Sequence, residues 1–299
     1  MTPPALHHDP KWTRANTLFP TSGSGKDVAL LGVPACETSL TPTSANLTPD
    51  AIRTALARYS TYSMSHDVDL RDWDLRDLGD VDSPDGDEGI LRVATALSSA
   101  RKNHKLLIAL GGDNSITYSV AAGLWSDLSQ CGLITLDAHL DLRDGQSSGS
   151  PVWRLIQAGV RGENVVQIGI SDFANSREYF ERAKEAGIHV ITRDVLRKRP
   201  IADVMAEALD IAGGNGRELY VDLDVDVCDR SVAPACPASA PGGISADELR
   251  QVAFLAGADG RVRGLDITEI DPAMDAPDQR TIRLAALLVL EAACGVTQR

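Results

Sequence analysis

Seven short apolar runs, separated by segments of helix length, constrain this 299-residue chain more than any other feature. They are DVALLGV (27–33), LLIAL (106–110), GLITL (132–136), VVQIGI (165–170), IHVI (188–191), ELYVDLDV (218–225) and VRGLDI (262–267). Each is continuous instead of alternating, as expected of parallel strands buried on both faces. The intervening segments read as helices. In 48–60, Thr48 is the expected N-cap and Pro49 the first helical residue. Segment 87–102 carries an apolar stripe, 174–187 ends on Gly187 as a C-cap, and 245–257 opens with a Ser245–Glu248 capping box. Segment 281–294 reads as a mostly buried last helix. No composition break, linker or repeat divides the chain. The order predicts a single α/β domain over 1–299: an open, mostly parallel sheet flanked by helices on both faces, with residues 1–25 irregular. The loops at the carboxyl ends of the strands are where its chemistry is expected.

The net charge of −13 argues against attraction to nucleic acid or anionic membrane. The five cysteines are scattered, without a CxxC spacing, which disfavours a disulfide framework or a zinc knuckle. No apolar run is long enough for a membrane helix, and the first residues lack the apolar core of a signal peptide. A cytoplasmic protein is the expectation. Cys36 and Cys236 both follow strands, so two rim thiols could meet on oxidation. Two unrelated thiols is the plainer reading.

Two strand ends concentrate carboxylates. In LITLDAHLDLRDG (133–145), Asp137, His139 and Asp141 are spaced by two, which puts them on one face if the chain is extended. A polar loop with a capping aspartate is the competing reading. In YVDLDVDVCD (220–229), Asp222, Asp224 and Asp226 alternate with Leu223, Val225 and Val227. Unpaired buried carboxylates cost several kcal/mol or take up protons, and a divalent cation removes that cost. A strand with one solvated face is the alternative, but the neighbouring runs read as two-sided. Together the clusters make an oxygen-rich site with one histidine, suited to Mn2+ or Mg2+ more than to structural zinc. Asp137, Asp141, Asp224 and Asp226 supply four negative charges, enough for two dications sharing a hydroxide. Glu269, at the end of another short strand in GLDITEIDPAMDAPDQRT (264–281), is a candidate anchor for a cationic substrate.

These residues resemble the arginase/agmatinase, or ureohydrolase, family. LTPDAIRTAL (47–56) looks like its G-P-x-x-I-R element and GGDNS (111–115) like its G-G-D-H-S. DAHLD (137–141) is similar to D-A-H-x-D, and DLDVDVCD (222–229) to S-x-D-x-D-x-x-D with Asp222 in the serine place. DITEIDPAMD (266–275) matches its glutamate-bearing segment. The resemblance implies an arginase-like open sheet, two Mn2+ ions and hydrolysis at an amidine or guanidine carbon. Carried over by position, it implies that Asp137 and Asp224 bridge both ions. Asp141 and Asn114 would complete one ion, and His139 with Asp226 the other. Glu269 would hold the cationic substrate. Asn114 departs from the pattern, standing where the family usually has a metal-binding histidine. The ion on its side is therefore expected to bind more weakly.

The family's G-N-x-H-G segment is absent. SSGSPVWR (147–154) instead resembles the S-G-T-P-F-R segment of the formiminoglutamase branch, and DLR (141–143) looks like that branch as well. A formimino carbon is less resonance-stabilised than a guanidinium carbon and needs less acid–base help. A glutamate product needs anion receptors, for which Arg143, Ser150 and Arg154 are candidates. The implied activity is a binuclear-metal hydrolase of histidine degradation, cleaving N-formimino-L-glutamate to L-glutamate and formamide, with Asp141 and Glu269 as its catalytic groups. A guanidino-acid ureohydrolase releasing urea is the second reading. A metal-poor binding protein is the third, opposed by the presence of all four aspartates and His139. The expected partner is a small-molecule substrate, with a homo-oligomer open.

Overall fold

The structure, a computed structural model, describes residues 9–98 and 100–299. Eight strands form one sheet whose every pairing is parallel: β1 (Val28–Val33), β2 (Leu75–Asp80), β3 (Leu106–Gly111), β4 (Cys131–Leu136), β5 (Val165–Ile170), β6 (His189–Thr192), β7 (Glu218–Asp224) and β8 (Val262–Thr268). Their order across the sheet is β2-β1-β3-β8-β7-β4-β5-β6. The chain leaves β3, passes over two positions to β4, and later fills the gap with β7 and β8. The four strand ends that carry the acidic motifs are therefore adjacent at the centre of the sheet.

The helices are α1 (Thr48–Leu56), α2 (Gly86–Leu97), α3 (Ile116–Leu124), α4 (Pro151–Gln157), α5 (Arg177–Ala186), α6 (Ile201–Ala212), α7 (Ala246–Ala258) and α8 (Arg280–Val296), with shorter turns between. They cover both faces. On one side Leu106, Ile108, Leu110, Val221 and Leu223 pack with α1, α6, α7 and α8. On the other, Leu107, Ala109, Leu133 and Tyr220 pack with α2, α3 and α4. Period-two alternation sends successive strand residues to opposite layers, both of them dry, so the runs are apolar throughout.

The seven expected strands are all present, and the open parallel sheet is as anticipated. The eighth, β2, was not anticipated. It is an edge strand, LRDLGD, paired on one side only and half-buried along most of its length, so it is polar. Three helices also escaped the reading: α3, α4 and α6. Thr48 is not an N-cap. Leu47 holds that position without a side-chain bond, while the Thr48 hydroxyl donates to Ile270 O at 2.7 Å. The Ser245–Glu248 capping box is present, and Gly187 closes α5 at φ 80°. Residues 1–8 of the expected irregular segment lie outside the described residues. From residue 9 to 25 the chain has one short turn, Ala15–Thr17, and a bridge from Arg14 to Ser60. Among the described residues no helix is long and apolar enough to cross a membrane.

Candidate metal centre and substrate pocket

At the carboxyl end of β3 the chain must pass close to the loop after β1. Gly112 makes this possible, because a Cβ there would lie 2.0 Å from Ala35 O. Asp113 N–H then donates to that same oxygen at 2.9 Å, and the chain turns so that Asn114 faces the centre of the sheet. Glu269 follows β8 with φ 62°. It is tied twice to the turn after β3, donating from its N–H to Gly112 O at 3.1 Å and accepting from Asn114 N–H at 2.8 Å. Asp141 also has positive φ, at 50°. Both follow strands at the centre of the sheet, β8 and β4, in a region that non-glycine residues populate sparsely.

The acidic residues converge through turns, not through an extended strand. Beyond Leu136 the Asp137 carboxylate accepts from His139 N–H at 2.6 Å. Beyond Asp224 its own carboxylate accepts from Asp226 N–H at 2.8 Å and caps a short turn. These turns bring His139 Nδ1 to 3.3 Å from Asp137 Oδ1 and 3.0 Å from Asp226 Oδ2. Asp137, His139 and Asp226 each offer a ligand atom within 4.8 Å of the others. Asn175 fixes the loop from behind: its Oδ1 accepts from Leu140 N–H at 2.8 Å and its Nδ2 donates to Ala138 O at 3.0 Å.

Burial without compensation shapes the electrostatics. Burial, then the Asp141 and Asp226 charges, push Asp137 well above the carboxylate range. Asp224 is pushed up in the same way by burial and then by Asp226 and Asp137. Glu269 is raised to about 8 by burial and by Asp113, and Asp141 to about 7 by burial with partial relief from His139. Burial would lower His139, but Asp226 and Asp137 override it and hold the ring protonated up to about 12. Asp226 alone falls below its ordinary value, because His139 outweighs its burial. Asp137 Oδ2 is buried with no hydrogen-bond partner. An orphaned carboxylate oxygen, several carboxylates forced toward protonation and an imidazole nitrogen aimed among them are what a dication would relieve by displacing protons. The donor set therefore fits hard divalent metal.

Asn114 is placed differently from the ligand role the resemblance implied. Its Nδ2 donates to Asp141 Oδ2 at 2.6 Å. Its Oδ1 accepts from Thr268 Oγ1 at 2.9 Å and lies 2.9 Å from Thr117 Oγ1. Turning the amide over would set its oxygen against the Asp141 carboxylate, so that carboxylate fixes its sense. Asn114 thus orients Asp141 and keeps its own oxygen away from the cluster. Thr117 and Thr268 were not singled out from sequence, because no spacing links the start of α3 to the end of β8.

Asp222 does not join the cluster's surface either. It lies one step down β7, fully buried beside Asp266. Burial and Asp266 hold it well above the carboxylate range, while Asp266 sits at about 6, with Tyr220 OH donating to its Oδ2 at 2.7 Å.

The cluster floors a cavity of about 370 Å3 lined by His139, Asp141, Asp224, Asp226 and Glu269, with Arg143, Ser148, Tyr179 and the Pro237–Ala238 segment on its walls. Arg143 reaches it as expected. Ser150 does not: its hydroxyl closes a turn by accepting from Ser147 N–H at 2.9 Å and donating to Ser147 O at 2.8 Å. Arg154 does not either. It projects from α4, stacks 3.8 Å over the Tyr118 ring and lines a separate small crevice with Asp85 and Ser115. Cys36 and Cys236 are free thiols, and burial pushes the Cys236 thiol well up.

Known proteins resemble this chain in sequence and fold. The arginase family description matches residues 26–295. A formimidoylglutamase of Halalkalibacterium halodurans is 36% identical over 290 residues, covering 93% of this chain and 90% of that protein. The crystal structure of formimidoylglutamase from Bacillus subtilis superposes with a TM-score of 0.90 at 31% identity, covering 99% of this chain and 95% of that one. A Trypanosoma cruzi formiminoglutamase determined with Mn2+ shares the fold, with a TM-score of 0.87 at 22% identity over 96% of this chain and 99% of that one. The chain is therefore a member of the arginase family.

Proposed function

We propose that this enzyme hydrolyses N-formimino-L-glutamate to L-glutamate and formamide, a step of histidine degradation, at a binuclear Mn2+ centre. The observation that carries the reading is the polarity of one cavity, with an acidic, buried floor and the Arg143 guanidinium at its exposed rim. That arrangement matches a substrate with a cationic formimino end and carboxylates at the other. Agmatine has no carboxylate to meet the arginine. The relatives named formimidoylglutamase support the same assignment.

In this reading Asp137, His139, Asp141, Asp224 and Asp226 would hold the two ions, with His139 and Asp226 on one side of the cluster and Asp141 on the other. When bound, the ions supply a water-derived nucleophile at neutral pH and Lewis-acid stabilisation of the developing charge. The protein's own groups do the rest. Glu269 holds the formimino nitrogens and keeps their carbon over the cluster. Arg143 receives carboxylate at the rim through a charge-assisted, forked contact. Asp141, its Oδ2 held by Asn114, would take the proton that the nucleophile loses and return it to the glutamate nitrogen as the carbon–nitrogen bond breaks. Asp137, Asp141 and Asp224 would be the only ligands offered on the Asn114 side, so that side would hold its ion more weakly at low Mn2+. We further place the enzyme in the cytoplasm, without nucleic-acid or membrane partners, in keeping with its net charge of −13.

A substrate panel with Mn2+ tests this. N-formimino-L-glutamate should be turned over, and arginine, agmatine and guanidinobutyrate should not. Urea release from any guanidino compound at a comparable kcat/KM would reverse the assignment, and an absence of bound Mn2+ would favour a binding protein.

A further inference from the structure

We propose that Arg182 is a positioning residue that aims Arg143 at the substrate's carboxylate. This rests on the reading that Arg143 receives that carboxylate. Arg182 projects from α5, and its guanidinium carbon lies 4.6 Å from the Trp153 ring centroid and 5.4 Å from that of Tyr179. From this seat Nη1 donates to Leu142 O at 2.6 Å and to Asp144 Oδ1 at 2.9 Å, and Nη2 reaches Asp144 Oδ2 at 3.4 Å. One cation thereby grips the residues immediately before and after Arg143.

Arg143 itself needs such help. Its guanidinium has no hydrogen bond or ion pair among the described residues, and its side chain is exposed. Only the backbone directs it. Its N–H donates to Gly149 O at 3.0 Å, and a Cβ on Gly149 would lie 2.8 Å from its Cδ, so the stem is confined on that side. Arg182 supplies the opposite constraint. A lysine could reach one acceptor but could not lie flat on an aromatic ring while forking to two.

The grip is separable from the metal side of the loop. The carbonyl of Asp141 is taken by Trp153 N–H at 3.2 Å, a backbone bond that does not involve the Arg182 side chain. The Asp144 carboxylate is 75% exposed, so its ion pair adds little to stability, and loss of Arg182 should leave the protein folded.

The experiment compares Arg182→Met, Arg182→Lys, Arg143→Met and the Arg143→Met/Arg182→Met double variant. Each is a full-length, Mn2+-loaded protein assayed with N-formimino-L-glutamate, with bound Mn2+ counted. Arg182→Met should raise KM roughly tenfold, the scale on which misplacing a binding group acts, with kcat within about twofold and Mn2+ unchanged. Arg182→Lys should recover only a minor part. In the Arg143→Met background, Arg182→Met should raise KM no further. The proposal is overturned if Arg182→Met leaves KM unchanged, or raises it by the same factor in both backgrounds. It is equally overturned if Arg182→Met lowers kcat and bound Mn2+ at constant KM, which would mean an action through Asp141. Should Arg143→Met alone leave KM unaltered, the carboxylate reading of Arg143 fails first, and the silent single variant identifies that case.

Discussion

Replacing Asn114 by alanine removes the donor on Asp141 without touching any carboxylate of the cluster. The bond lost runs from Nδ2 to a carboxylate oxygen at 2.6 Å inside the protein. Hydrogen bonds to charged groups contribute about 1.5–3 kcal/mol. At about 1.4 kcal/mol per tenfold, that corresponds to a roughly 10- to 100-fold change in an equilibrium constant. Loss of a partner that orients a metal ligand independently carries about 10–100-fold in affinity or activity. The two routes agree, so Asn114→Ala should weaken the more labile Mn2+ site by that factor and leave the other nearly unchanged. Thr117 keeps its contact with Asp266 Oδ2 at 2.8 Å, which limits collateral damage. Titration of Mn2+ into metal-free protein, followed by electron paramagnetic resonance and by formamide release, reads both sites. Asn114→His in the same titration should tighten the labile site, because an imidazole adds a donor where the amide turned its oxygen away. Superimposable curves for wild type and Asn114→Ala would refute the orienting role.

Mn2+ at about a hundredfold excess over Kd should stabilise the fold by roughly 2.7 kcal/mol, raising Tm by about 5 °C or more relative to chelated protein; an unchanged melting curve would count against the site. The metal-free protein should lose stability as pH rises. Asp141 at about 7 and Glu269 at about 8 are acids held above their unfolded values, so the folded state binds the extra protons and its advantage fades from about pH 4 through 8. His139, held at about 12, acts in the same direction above its unfolded value. Scanning calorimetry of chelated protein should therefore show Tm falling between pH 6 and 8, with Mn2+ abolishing the slope; a rising Tm would show that the carboxylates are not buried together. Glu269→Gln should lower kcat/KM by roughly a hundredfold or more while sparing Mn2+ binding, measured by steady-state kinetics and metal analysis.

The sheet was legible because its central strands are buried on both faces and can be nothing but apolar. The edge strand β2 was not, since one open side admits Arg76, Asp77 and Asp80, which leave no apolar run to read. The acidic motifs pointed to the right strand ends, but by an argument the geometry replaces. Asp137 to Asp141 and Asp224 to Asp226 converge by side-chain-capped turns and a left-handed Asp141, and period-two alternation predicts none of these. Asp222 shared the sequence pattern and not the location, because it lies two residues before the carboxyl end of β7, level with Asp266. The second polar layer, with Thr117, Thr268 and Asn175, was invisible: hydroxyls and amides far apart in sequence carry no spacing signal. Ser150 and Arg154, in the SSGSPVWR segment, were expected as anion receptors. A turn after residue 143 spends the serine on Ser147 and sends the arginine to Tyr118.

The central claim is that the nucleophile attacks a formimino carbon and the bond to the glutamate nitrogen breaks. N-formimino-L-glutamate carrying 13C at the formimino carbon, followed by NMR with the Mn2+-loaded enzyme, reports that bond directly. The account predicts that the label appears as formamide, one equivalent for each L-glutamate released. Label recovered in N-formyl-L-glutamate with ammonia, or substrate left intact while a guanidino acid yields urea, would contradict it.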